Sequence, residues 1–393
     1  MIKGWRWFGP KDPITLSALR QIGVEGIVTA LHDIPNGEVW PLERILEMKN
    51  LIESYGMKWT VAESLPVSEA IKYAGPERDA LIENYKISLA NMGKAGVKTI
   101  CYNFMPVLDW ARTDLEWPCA DGTGTLYFDK VRFAYFDIHV LGRKNARNDW
   151  DEKTLEGVDK LAQTITQAEI DDLINSSIIK TQGFVNGNFH EGDLNPVGMF
   201  NELLAQYDGI TRDTLRENLR YFLEAIMPGC DEYDINMCFH PDDPPMQIFG
   251  LPRIITCAED IRWMLNAVDN PHNGLTFCAG SLSAGIQNDC VSMAKEFAPR
   301  THFAHLRSCQ IFPDGNFCEA RHTEGRANLP ELIRIFEKQN PNLPMRPDHG
   351  RMMLGDETKG YNAGYGFHGR MLALAQVEGM LAVVRDEIAH GKC

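Results

Sequence analysis

The chain is short of basic groups. Lys and Arg total 39 against 54 Asp and Glu, a formal net charge of −15. A field of that sign repels polyphosphate, so a nucleic-acid-binding role is disfavoured. Also missing is any uninterrupted apolar run of about 18 residues, the length a membrane span needs. The opening MIKGWRWFGPKDP holds no apolar stretch of signal-peptide type, and a cytoplasmic protein without membrane attachment is expected. No GxGxxG and no GxxxxGK[ST] loop occurs, which removes the main support for a nucleotide or dinucleotide fold. The ten cysteines include no CxxC pair and no short-spaced framework, so reduced thiols are expected, most of them small buried apolar residues.

What is present is apolar material for one large core, 44% of the chain, at a length of 393 residues. A single α/β barrel occupies about 250, so one catalytic domain over 1–393 with a large excursion fits better than three small domains. Short β-rich runs closing on a polar residue lie at 5–9, 26–32, 58–64, 98–104, 234–240, 274–280, 301–307 and 345–350, the last weakened by Pro347. Apolar helical patterns such as PLERILEMKNLIESYG and CAEDIRWMLNAVD separate most of them. Eight alternating units imply parallel strands with right-handed crossovers and predict a (β/α)8 TIM barrel, with an open doubly wound sheet as the alternative.

About 130 residues separate the fourth run from the fifth, far beyond a normal connection. An inserted subdomain over 113–210 is therefore expected. In it, DGTGTLYFDKVRFAYFDIHVLG has the turns and aromatic alternation of paired strands, and WDEKTLEGVDKLAQTITQAEIDDLINSSI reads as helical. It leaves from the carboxyl end of a barrel strand, where barrel active sites sit. It is expected to act as a lid, with an oligomer contact as the rival role.

One strand aims alternate side chains to opposite faces, so a barrel metal site needs donors from several strands. His240, Cys278, His305 and Asp348 stand at or near the ends of the fifth to eighth runs. Two imidazoles, a thiolate and a carboxylate suit Mn, Fe, Co or Zn better than Mg or Ca. Alternation puts His305 and Arg307 on one face and His302 on the other, so His302 is expected to be structural and Cys238, one layer below His240, barrel packing. His349 is left available for proton transfer beside the metal. Arg6, His32, Glu63 and Asn103 end other runs as candidate substrate contacts or rim salt bridges, with Arg6 and Asn103 weighted most. Arg307 and Arg346 suit a substrate carboxylate.

HPDDPPMQIFGLPRI at 240–254, CAGS at 278–281, HFAHLR at 302–307 and RPDHGR at 346–351 resemble mannonate dehydratases. So do FGPKDPITL near the start, TALHDIPNGEVWP at 29–41 and GYGFHGR at 364–370, and the likeness covers nearly the whole chain. The resemblance implies a xylose-isomerase-like barrel and a metal-dependent hydro-lyase of hexuronate (glucuronate) breakdown, with D-mannonate as substrate and 2-keto-3-deoxy-D-gluconate as product. It implies one divalent ion, Mn2+ or Fe2+, on His240, Cys278, His305 and Asp348, and a homo-oligomer, a dimer first. Its acid and base groups fall on His349 and a downstream Tyr. Tyr365 is the best match, because GYGFHGR resembles a family segment that often reads GYG followed by Leu and Tyr; position 368 is His here instead, and Tyr361 is nearby. The two groups are expected to divide removal of the C2 proton and protonation of the leaving C3 hydroxyl. A metal-dependent sugar isomerase or epimerase, and a non-catalytic sugar-acid-binding barrel, are the rival readings.

Overall fold

The computed structural model describes residues 1–182, 189 and 192–392. Eight parallel strands close into a barrel: β1 (Ile2–Arg6), β2 (Gly26–Thr29), β3 (Lys58–Glu63), β4 (Thr99–Tyr102), β7 (Asn236–Phe239), β8 (Asn273–Cys278), β9 (Thr301–His305) and β12 (Pro344–Arg346). The (β/α)8 expectation holds. Strands such as β4, TICY, and β8, NGLTFC, are buried throughout, because crossover helices cover one face and the barrel interior the other. Inside, Val28, Val61, Cys101, Cys238 and Phe303 form a compact apolar plug. Such a layer of inward side chains makes a barrel a packed core rather than a pore.

Most strands are shorter than the runs that announced them, β2 ending at Thr29 and β9 at His305, and the two ends of the barrel differ in kind. The first strand is Ile2–Arg6 rather than 5–9, pairing with β12 from Ile2 and with β2 up to Arg6. The last strand stops at Arg346, before Pro347, whose missing N–H cannot continue a ladder.

Helix Arg212–Tyr233 begins at Thr211, whose side chain accepts from the Thr214 N–H. It runs on through Pro228 and ends on Asp234 in the left-handed region. No helix among the described residues is long and apolar enough to cross a membrane.

The long excursion carries β5 (Asp114–Pro118) and β6 (Gly124–Phe128), an antiparallel pair. They join a second hairpin from after β9, made of β10 (Cys309–Ile311) and β11 (Phe317–Glu319), in a four-stranded sheet ordered β10-β11-β6-β5. The segment expected to form paired strands does so only in its first half. Asp129 accepts hydrogen bonds from the Val131 and Arg132 N–H groups and starts helix Lys130–Tyr135. The aromatics that alternate like a strand are instead buried on that helix and its continuation Phe136–Val140, with Phe133 and Phe136 packed on Phe249. These rings belong to a second apolar cluster that also draws in Phe317, so residues beyond 113–210 complete it.

Candidate metal centre

Strand register sets the site. Cys278 on β8 is paired with His305 on β9, and His305 with Arg346 on β12, so three side chains leave adjacent strands at one level. On the other side Tyr102 pairs with Phe239, and His240 follows directly, its N–H donating to the Tyr102 carbonyl at 2.8 Å. One ligand atom each from His240, Cys278 and His305 lies within 4.8 Å of the others. Cys238, two residues earlier on β7, is in the apolar plug below.

Each donor is oriented by a neighbour. His240 Nδ1 is 2.8 Å from the Pro241 carbonyl, which can only accept, so Nδ1 carries a proton and Nε2 is the nitrogen turned toward Cys278 and available to a metal once its own proton is displaced. The Cys278 sulfur accepts from Ser281 Oγ at 3.0 Å and lies 3.7 Å from Arg307 Nη2. Burial opposes its ionisation, but His240 and Arg307 outweigh burial and hold the thiol well below its usual range. Burial likewise disfavours a charged His240, yet Cys278 and the carboxylates of Glu63 and Asp348 raise it to about 9.

Asp348 stands beside this group, outside the three atoms that lie within 4.8 Å of one another. It sits in the left-handed region with φ of 64°, a conformation uncommon outside glycine and least so for Asn and Asp. Its Oδ2 is 3.8 Å from both the Cys278 sulfur and His305 Nδ1. Arg307 Nε donates to the same oxygen at 2.7 Å and Arg346 Nη1 to the other. Burial opposes its charge, and Arg346, His349 and Arg307 overcome this to keep the carboxyl well below the usual range.

The arginines are held in turn. Arg346 meets Glu63 through Nε at 2.9 Å and Nη2 at 2.8 Å. Arg307 spans Asp348, Asp243 and Glu319 with its three nitrogens. Its fork lies so close to residue 280 that a Cβ there would stand 2.4 Å from the guanidinium carbon, hence Gly280. Arg112 closes the set on Asp243 and Glu319 at 2.7 and 2.9 Å. With Arg6 on Glu63 at 3.2 Å, four buried guanidiniums face four buried carboxylates. Such charges tolerate burial only when paired and hydrogen-bonded.

His349 stands beside this network. Its Nδ1 is 3.0 Å from both Glu319 oxygens, and its Nε2 is 3.8 Å from Asp348 Oδ1. Its ring packs between Trp110 and Tyr365, with centroids at 5.3 and 5.0 Å. Arg6, Asn103, His240, Arg307, Arg346, Asp348, His349 and Tyr365 all line one cavity. Arg6 Nε has no hydrogen-bond partner among the described residues. Burial pushes the Tyr365 phenol up to about 12.

Tyr361 and His32 are not among the residues lining the cavity. Tyr361 is half-buried, and His32 is exposed beside the Phe8 ring. His302 meets the Pro271 carbonyl at 3.0 Å and is likewise absent from the lining.

Sequence reasoning missed Glu319, Asp243, Arg112 and Asp109. Glu319 lies on the short hairpin β10–β11 and Arg112 in the excursion, 207 positions apart, so spacing offered no signal. Asp243 had one, an acid in HPDDPP three positions after a proposed ligand. Asp109 lines the cavity and accepts from Asn103, and burial pushes its carboxyl up despite Lys72 and Asn103.

The family model for D-mannonate dehydratase (UxuA) matches residues 1–390. A mannonate dehydratase of Marinomonas sp. (strain MWYL1) is 41% identical over 386 residues, covering 96% of this chain and 97% of its own. One from Chromohalobacter salexigens is 40% identical over 395 residues, covering 97% and 98%. The crystal structure of mannonate dehydratase from Streptococcus suis serotype 2 superposes with a TM-score of 0.77 at 36% identity, covering 100% of this chain and 96% of that one. A D-tagatose 3-epimerase-like protein, at 9% identity and a TM-score of 0.52, shares the fold alone.

Proposed function

The chain belongs to the D-mannonate dehydratase family of hydro-lyases, and from that membership we propose that His240, Cys278, His305 and Asp348 hold one divalent ion beside a sugar-acid site. The convergence of three ligand atoms within 4.8 Å, with a thiol held well below its usual range and His240 Nδ1 already engaged by the Pro241 carbonyl so that Nε2 is the nitrogen left for a metal, supports the fit. The donor set suits a first-row ion such as Mn2+, Fe2+, Co2+ or Zn2+, and the resemblance to mannonate dehydratases narrows this to Mn2+ or Fe2+. When bound, such an ion supplies Lewis acidity that polarises a substrate carboxylate and its neighbouring oxygen.

The substrate is D-mannonate and the product 2-keto-3-deoxy-D-gluconate. Arg6 is the first contact for the substrate carboxylate, since its buried Nε has a hydrogen to offer. Asn103 faces the same cavity and orients a hydroxyl. Arg346 lines it too, but most of its donors are engaged by Glu63 and Asp348. Arg307 is more fully committed, which makes it a positioning residue that fixes Asp348, Asp243 and Glu319 and contributes positive field.

The observation carrying the proton-transfer assignment is the Glu319–His349 pair. Burial resists the charge of Glu319, and Arg307 and His349 hold it below its usual range. A carboxylate can only accept, so His349 Nδ1 carries the proton and Nε2 is basic. His349 therefore takes the C2 proton. Tyr365, protonated at neutral pH because burial lifts it to about 12, donates to the departing C3 hydroxyl. The enol product then tautomerises, taking a solvent proton at C3.

The excursion over 113–210 acts as a cover. Asp109 and Trp110, just before it, line the cavity, and Thr125 within it donates to the carbonyl of Glu319, the partner of His349, at 2.8 Å, which supports that role.

Turnover of D-mannonate in heavy water tests this scheme. A product that has lost water and carries deuterium at C3 is expected. A product of unchanged mass, or one without deuterium at C3, contradicts it.

A further inference from the structure

A second cavity, of about 290 Å3, lies apart from the metal centre, where the segment after β7 meets the start of helix Arg212–Tyr233. Thr211, Arg212, Met246, Gln247, Arg253 and Thr256 are among its walls, and no described residue lining it is Asp or Glu. Arg253 is only 4% exposed. Its Nη1 donates to Asp242 Oδ1 at 3.3 Å, while Nε and Nη2 have no hydrogen-bond partner among the described residues.

Asp242 compensates this charge poorly. Its Oδ2 is already taken by the Ile254 and Ile255 N–H groups at 3.0 and 2.8 Å. A buried guanidinium with two unmade hydrogen bonds carries a desolvation penalty that an anion would relieve. A second cation, Arg212, half exposed and paired with Asp260, stands at the same cavity. The positive end of the 22-residue helix starting at Arg212 adds to the field.

We propose that this cavity binds a small oxyanion, a phosphate or carboxylate group, between Arg253 and Arg212. The two Arg253 nitrogens are covered, so the ligand reaches them through a local shift of the cavity wall, on which Met246 is half-buried and Gln247 exposed. The site stands independently of the metal reading. It also has a route to the catalytic cavity, because Asp242 is followed by Asp243, which is bonded to Arg307 and Arg112.

Isothermal titration calorimetry on the metal-loaded protein at low ionic strength tests it, with inorganic phosphate and acetate titrated separately. One of the two is expected to bind at millimolar concentration or below, and the tighter one identifies the group. Arg253→Gln and Arg212→Gln are each expected to weaken that binding by about tenfold or more, the loss of a charge-assisted pair. Arg212 is at the exposed rim, so its variant decides the matter even where Arg253→Gln does not fold. Absence of binding by both anions, or an affinity unchanged in Arg212→Gln, overturns the proposal.

Discussion

Two buried thiols, Cys238 in the barrel plug and Cys278 at its mouth, have the same chemistry and opposite acidities. Cys238 is surrounded by Val28, Val61, Cys101 and Phe303, and burial drives its thiol well above the usual range. Cys278 is just as buried, but His240 and Arg307 reverse the sign. Burial alone therefore makes a cysteine inert. Burial among oriented cations makes it a ready thiolate, the form a metal takes.

The contrast extends to whole layers. The plug is apolar and needs no partners, whereas the mouth holds Arg6, Arg112, Arg307 and Arg346 against Glu63, Asp243, Glu319 and Asp348. A charged mouth above a neutral plug means that substitutions in the two layers should fail differently: upper ones in chemistry, lower ones in folding.

The largest effect is expected at His349. His349→Gln should lower kcat by about 10^2 to 10^4, the usual worth of a positioned acid-base group, with metal content unchanged by atomic absorption. Activity near wild type would remove the upper layer's catalytic assignment. Next, Cys278→Ser should weaken metal affinity by about 100-fold or more, above the 10–100-fold typical of a group that only orients a ligand. Cys238→Ser should leave that affinity intact. Equal metal retention by the two variants in a competition assay with a chelator would erase the contrast between the thiols.

A smaller change sharpens the layer boundary. Glu319→Gln keeps the shape but not the charge that fixes the His349 tautomer, so kcat should fall by about 10- to 100-fold with little change in KM. A pure KM effect would make Glu319 a binding group instead. The smallest effect, read in urea denaturation rather than turnover, is for Cys238→Ser. A hydroxyl set among apolar neighbours should cost about 1–3 kcal/mol with kcat unchanged. A fall in kcat there would mean that the plug takes part in the chemistry.

Much of this was legible because β strands advertise their ends. A short β-rich run closing on His, Cys or Asp is a local pattern, and four such runs in sequence pointed to His240, Cys278, His305 and Asp348. The stretch over 130–140, expected as strand, misled for a related reason, whereas the helices expected downstream of it are present at Glu152–Leu161 and Gln167–Ile174. Aromatics at 133, 135 and 136 read as strand alternation, while the Asp129 cap that decides for helix is a single polar residue.

Asp243, Glu319 and Arg112 were invisible as a group. Their pairing spans 131 and 207 positions and follows no period. Arg307 looked ready for a substrate carboxylate until its three nitrogens were found on Asp348, Asp243 and Glu319.

By itself the sequence determined the barrel and nominated the four candidate donors, since hydrophobic periodicity and chain-local polarity carry that information. Only the tertiary structure decided how Cys278 and Cys238 differ, which His349 nitrogen is basic and which arginines are spent. Those properties depend on charges brought within a few ångströms from distant parts of the chain, and electrostatic energy is set by distance and burial rather than by position in sequence.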